Sequence, residues 1–168
     1  FEHEQLVQLA NDRYPSVNYL KAEKQLLTSA INLDQQPSHE VNSVTAKEVS
    51  ESLTLNTSQK AAFDYALASD SGIKNIIGMA GTGKSHTLKA ITEVYQQSGY
   101  EVKGLALSGI VAQNLSKDAH IERSKTIHSF LSNYQGGYEA IDKKTVLIVD
   151  EASLVGTKKL SEIVKLTE

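Results

Sequence analysis

The chain contains no cysteine and no tryptophan, only two prolines, and only two arginines, Arg13 and Arg123. Without cysteine there can be no disulfide and no thiolate metal site. That fits a cytoplasmic protein. No apolar run approaches the roughly 18 residues needed to cross a membrane. The start, Phe1-Glu2-His3-Glu4, is polar and acidic, unlike a secretion signal. His3, His39 and His120 have no spacing that suggests a metal centre. The net charge is −3, so no global basic field draws in nucleic acid. Any such contact must use a local face or another part of a larger protein. The first residue is not Met, and the last segment is a helix-like run that stops, so the 168 residues are expected to be part of something longer.

Against these absences stands Gly78-Met79-Ala80-Gly81-Thr82-Gly83-Lys84-Ser85. It fits the pattern of a phosphate-binding loop. Glycines let the backbone wrap closely around an anion. The loop amides and the positive end of the next helix then face the phosphates. Lys84 would supply a point charge to the outer phosphates, and Ser85 a hydroxyl to Mg²⁺. The context agrees. An apolar run at residues 73–79 is expected to be a strand, and residues 85–97 a helix with Leu88, Ile91, Val94 and Tyr95 as its apolar stripe. Ser98-Gly99 ends it.

A second element is Val146-Leu147-Ile148-Val149-Asp150-Glu151. The continuous apolar run predicts a strand buried on both faces of a parallel sheet. Asp150 at its end would hold Mg²⁺ through water. Glu151 would orient or deprotonate the attacking water.

Residues 1–52 read as a helical N-terminal segment and linker. Leu6, Val7 and Leu9 mark one short helix. Tyr19, Leu20, Leu26, Leu27, Ala30 and Ile31 mark an amphipathic second one. Pro15 and Pro37 supply the breaks, and residues 35–45 a polar connector. From residue 53 the pattern becomes an alternation of helices and strands. Asn56 or Thr57 caps a helix running to about Ser69. Strands follow at 73–79, 101–107 and 145–149, and helices at 85–97, near 109–117 and 124–133, and at 157–167. The fold class is α/β: a parallel sheet flanked by helices, preceded by a small helical region. Ligands of such sheets bind at the carboxyl ends of the strands. Both the loop and Asp150-Glu151 lie at such ends.

The ordered set GMAGTGKSHTL, GLALSGIVAQNL, SKTIHSFL and VLIVDEASLV resembles the first motor domain of superfamily 1 helicases of the RecD-like branch, above all the helicase part of Ti-type TraA conjugative relaxases. The likeness covers about residues 53–165. It implies a RecA-like P-loop NTPase domain at 53–168, truncated at its C-terminus, with ATP and Mg²⁺ as ligands. It implies that Gln59, in Leu55-Asn56-Thr57-Ser58-Gln59, recognises the adenine edge, which an amide can do by donating and accepting at once. Gly78, Ala80, Gly81, Thr82, Gly83, Lys84 and Ser85 would cradle the phosphates. His86, where many relatives carry Thr, would lie near base or ribose, or be solvated on its helix. Ser108, Gly109, Thr126 and His128 would line a path for single-stranded DNA.

A working motor also needs a second RecA-like domain and arginines that reach the γ phosphate. Neither arginine lies in a motif for that role. The later Gly-Asp … Gln-Leu motif of the family would lie beyond Glu168. An upstream relaxase domain is a further expected partner, although the chain shows no His-x-His cluster with a tyrosine nucleophile. The fragment alone is therefore expected to bind nucleotide weakly and hydrolyse it poorly. Two other functions fit less well: a remnant or interaction module that has kept the fold without the motor, and a different P-loop phosphotransferase. Tyr134 and Tyr138 around Gly136-Gly137 are expected to hold a loop rather than to stack on bases.

Overall fold

A computed structural model describes residues 15–79 and 81–168. The expected short helix with Leu6, Val7 and Leu9 lies outside the described residues, as do Arg13 and Ala80. Among the described residues there are seven α-helices and three strands.

The helical region begins with α1 (Val17–Asp34), capped by the Ser16 hydroxyl accepting from the Tyr19 amide. It continues with α2 (Ser43–Ser52), which starts inside the expected connector because the Asn42 side chain caps it. α3 (Thr57–Leu67) opens on a full capping box. The Asn56 side chain accepts from the Gln59 amide, and the Gln59 side chain accepts from the Asn56 amide. Then come α4 (Lys84–Gln97), β1 (Glu101–Ala106), α5 (Gly109–Asp118), β2 (Arg123–Thr126), α6 (Ile127–Gln135), β3 (Thr145–Val149), a 3₁₀ turn (Ala152–Leu154) and α7 (Thr157–Leu166).

The sheet is parallel with order β2-β1-β3. Its register sets Leu105 beside Val149 and Ala106 beside Thr126. Strand alternation then sorts the side chains into two cores. Val102, Ala106, Val146 and Ile148 face one cluster with Phe63, Ile91 and Val94 of α3 and α4. Leu105, Leu147 and Val149 face the other, with Ile127, Phe130 and Ile163 of α6 and α7. The helical region packs onto this frame. Val49 of α2 joins the first cluster, and α1 lies along α7. There Ser29 and Asn32 both hold the Glu168 carboxylate, and the Tyr19 hydroxyl meets Thr157 at 3.1 Å.

Three expectations need correction. Residues 73–79 form no strand, and no backbone hydrogen bond joins them to the sheet. Ile77 and Met79 are 89% and 81% exposed. A strand exists only where a partner supplies its ladder, and the apolar run provides propensity without a partner. The expected helix at 124–133 begins late, at Ile127. The free edge of β1 recruits Arg123–Thr126 as β2 first, despite their polar character. Finally, β3 is an edge strand whose apolar residues are half-buried. The fully covered strand is the less apolar β1.

β1 tolerates Lys103, with a side chain only 4% exposed, because Glu139 answers it. The Lys103 ammonium donates to Glu139 and to the Ala140 carbonyl, each at 2.6 Å. Lys125 donates to the other Glu139 oxygen at 2.6 Å. Burial alone would raise the Glu139 carboxyl, but the hydrogen bonds and charges of the two lysines outweigh it and hold it below the usual carboxylate range. The network ties the connector between α6 and β3 to the sheet. Tyr138 on that connector is 86% exposed, so it holds no loop in place by burial.

Candidate nucleotide site at the strand tips

The loop at 78–83 closes on itself. The Thr82 hydroxyl donates to the Met79 carbonyl at 2.8 Å. The Lys84 ammonium folds back and donates to the carbonyls of Gly78 at 2.8 Å and Met79 at 3.2 Å. Gly81 and Gly83 both have positive φ, 78° and 81°, which L side chains resist. A Cβ at Gly83 would also push aside the end of the Gln59 side chain, whose Nε2 lies against it.

Gly83 is also the N-cap of α4, and a glycine offers no side chain to the first amides of the helix. Ser16, Asn42, Asn56, Ser108 and Thr126 cap α1, α2, α3, α5 and α6 with a side-chain oxygen, whereas α7, like α4, starts on a glycine without one. What sets α4 apart from α7 is the positive-φ loop before it and Lys84 at its first position. α4 has no acidic residue in its first turn either. Its free amides, its dipole and the Lys84 charge together favour an anion. This is the observation on which the fit of a phosphate rests.

α4 packs against β1, the strand that follows it through a tight turn at Gly99. A helix of 14 residues spans about 21 Å, close to the length of the six-residue strand. It must run back along that strand. Its N-terminus, with Lys84 and Ser85, therefore stands at the carboxyl end of the sheet.

Asp150 follows β3 at the same end, its amide donating to the Leu105 carbonyl at 2.9 Å. The Asp150 carboxylate accepts from the Glu151 amide at 2.9 Å, which fixes its orientation. Glu151 is exposed and adopts φ 51°, in the left-handed region. Such a conformation costs a non-glycine residue about 1 kcal/mol or more and concentrates at functional sites. Nothing in the sequence signalled it. No hydrogen bond or ion pair joins the loop to Asp150 or Glu151 among the described residues. Nor do three or more His, Asp or Glu side chains form a metal cage there. A magnesium ion held by Ser85 and Asp150 would thus take its remaining oxygens from phosphate and water, as that ion usually does.

Gln59 lies against the loop, its Nε2 donating weakly to the Thr82 carbonyl at 3.4 Å. The His86 ring turns away to the Leu53 carbonyl, 2.7 Å from Nε2. The Ser108 and Thr126 hydroxyls are engaged as caps of α5 and α6, accepting from the amides of Val111 and Ser129. Register places their strand tips side by side. Gly109 and Thr126 share the wall of a cavity of about 350 Å³ with Gln113, Ser116, Ser124 and Ser129. His128 is exposed one residue into α6. Among the described residues no helix is long and apolar enough to cross a membrane.

Residues 54–168 match the family described as "AAA domain", which has a P-loop fold. A curated relative named "Conjugal transfer protein TraA" from Agrobacterium fabrum is 33% identical over 153 residues, covering 90% of this chain and 14% of the relative. A "Probable conjugal transfer protein TraA" from Sinorhizobium fredii is 32% identical over 158 residues, 91% of this chain and 14% of the relative. Another from Rhizobium radiobacter is 37% identical over 110 residues, 66% of this chain and 10% of the relative. The resemblance carried by the motifs is borne out. The chain spans about 14% of the length of the first two relatives.

Proposed function

The chain belongs to the AAA domain family, and on that premise we propose that it is the ATP-binding segment of a conjugative DNA helicase or translocase, one that couples ATP hydrolysis to movement on single-stranded DNA. The uncapped start of α4, beside a loop folded around its own lysine, carries this reading. In it, Gly78, Ala80, Gly81, Thr82 and Gly83 wrap the phosphates with backbone amides. Lys84 exchanges the loop carbonyls for phosphate oxygens. Gln59 faces the base. Ser85 and Asp150 hold magnesium, which supplies charge neutralisation on the phosphates. Glu151 takes the proton of the attacking water, and its exposure leaves it free to do so.

Ser108, Gly109, Thr126 and His128 receive the single strand. The hydroxyls and the uncluttered glycine suit a sugar-phosphate backbone rather than base edges. Residues 53–168 form the motor unit, with residues 1–52 as its helical attachment. A second RecA-like domain supplies the arginines, an upstream relaxase domain supplies the nicked strand, and the setting is the cytoplasm.

The test is DNA-stimulated ATP hydrolysis by a longer protein that continues past Glu168. Lys84→Ala and Glu151→Gln should each abolish the stimulation. Full activity in both variants would end the assignment. Vigorous DNA-stimulated turnover by the 168 residues alone would show that no second domain is needed.

A further inference from the structure

Next to the loop, a strained turn is pinned by a side chain that the proposed chemistry does not use. Thr54 has φ 50°. For a β-branched residue that is a genuine outlier, so the surroundings must impose it. Two backbone bonds reach the turn from α2: Leu53 donates to Val49 and Thr54 to Glu51. The Leu53 carbonyl is taken by His86 at 2.7 Å, from the first turn of α4. A carbonyl can only accept, so His86 Nε2 carries the hydrogen.

Two residues beyond Thr54 the capping box begins, and it fixes Gln59 by both its amide and its side chain. The Gln59 amide group then returns to Thr82 and Gly83 of the loop. The connections form a ring: loop, α4, His86, Leu53, Thr54, Asn56, Gln59, loop. Leu53 and Leu55 anchor it by packing on the main core.

We propose that His86 is a positioning residue for nucleobase selection: by holding the Leu53 carbonyl it keeps Thr54 in its strained turn and so aims the Gln59 amide beside the loop. This rests on the reading that Gln59 meets the base. The phosphates bind to backbone amides of the loop and α4, whereas the His86 contact with Leu53 is made by a side chain and takes none of those amides. His86 therefore governs discrimination between bases and leaves the phosphate cradle intact.

The experiment is equilibrium titration of the protein with Mg-ATP, Mg-GTP and inorganic triphosphate. His86→Ala should weaken ATP by about three- to tenfold, the worth of one hydrogen bond, and narrow the preference for ATP over GTP. Triphosphate affinity should stay within about twofold. The double variant His86→Ala/Thr54→Gly should regain part of the preference, because glycine occupies the left-handed region without strain. A merely structural histidine would not be rescued in this way.

If His86→Ala keeps the full preference, or weakens triphosphate as much as ATP, the inference is overturned. An unrescued double variant also overturns it. Gln59→Ala separates the underlying reading. If that variant keeps the base preference, or the unmodified protein has none, Gln59 does not meet the base and the reading itself falls.

Discussion

Two apolar runs lead toward the site, and they end in opposite conditions. Residues 145–149 pair with β1 in register and bury Thr145. Residues 73–79 have no ladder and leave Ile77 and Met79 in solvent. Both contain Val, Ile or Leu, although residues 73–79 also carry Lys74, Asn75 and Gly78. The difference lies in what approaches them. β3 is offered an edge by β1 and a tethered connector by Glu139. The run before the loop is offered neither, and is held at its far end by the loop's own bonds to Gly78 and Met79. Apolar character makes a strand available, and a neighbour makes it form.

The largest expected effect lies at the tips of the two runs. Lys84→Ala removes the charge that the loop presents, and Glu151→Gln removes a proton acceptor at the end of β3. In a longer protein that continues past Glu168, each should lower ATP turnover by about 10²- to 10³-fold. They should part company in binding. Lys84→Ala should weaken Mg-ATP, and Glu151→Gln should leave it near the unmodified value. Equal binding losses, measured by titration, would mean that the two tips are not divided between phosphate grip and water activation.

Next in size is the tether of the paired run. Glu139→Ala takes from Lys103, with its side chain 4% exposed, its buried counter-charge and leaves only the more exposed Glu101 carboxylate, 3.2 Å away. Breaking one side of such a buried pair costs about 3 kcal/mol or more. Chemical denaturation should show that loss at neutral pH. The sign with pH follows from the depressed carboxyl. The Glu139 contribution is whole above its ordinary value and fades as pH falls through the folded one. The variant should therefore lie closest to the parent in acid. A pH-independent difference would locate the effect in packing instead.

A milder contrast tests the runs directly. Leu147 packs against the second core from β3, whereas Ile77 is 89% exposed. Leu147→Ala should cost about 2 kcal/mol, at the low end for a leucine that is only partly covered. Ile77→Ala should fall within about 0.5 kcal/mol. Comparable losses would show that Ile77 is packed in solution, as its neighbour Ile76 is on the first core.

What the sequence conveyed is what local chemistry encodes. The loop motif, the stripe of Ile91, Val94 and Tyr95, the Asn56 cap and the glycine stop at Gly99 all act within a few residues, and all stand where their spacing puts them. The parallel α/β frame followed from alternation. Long-range partners were illegible. Arg-Ser-Lys-Thr has no strand signature, and only the β1 edge makes it β2. Lys103 and Glu139 are 36 residues apart, and His86 and Leu53 are 33 apart. The histidine read as a neighbour of base or ribose, or as solvated on its helix, because nothing in its own stretch announces a carbonyl from another element. The left-handed Glu151 was equally silent, since backbone strain leaves no mark in residue type.

The smallest effect probes the start of the paired run. His39 sits edge-on to Tyr100, with ring centres 4.6 Å apart, and Tyr95 flanks it at 6.3 Å. Burial lowers its pKa, and a backbone hydrogen bond at Thr145, the first residue of β3, pulls weakly the other way. The folded state thus prefers the neutral ring. Its contribution is complete above the ordinary histidine value of about 6.5 and is lost as pH falls through that value toward the folded one. The protection of residues 145–149 against amide exchange, relative to the intrinsic rate at each pH, should fall between about pH 7 and pH 5, with no matching change at 73–79. His39→Phe keeps an aromatic ring among the tyrosines and cannot titrate, so it should remove the pH response of β3. If the response persists in that variant, or if both runs loosen together, the start of β3 owes nothing to this histidine, and the contrast between the runs must rest on ladder and tether alone.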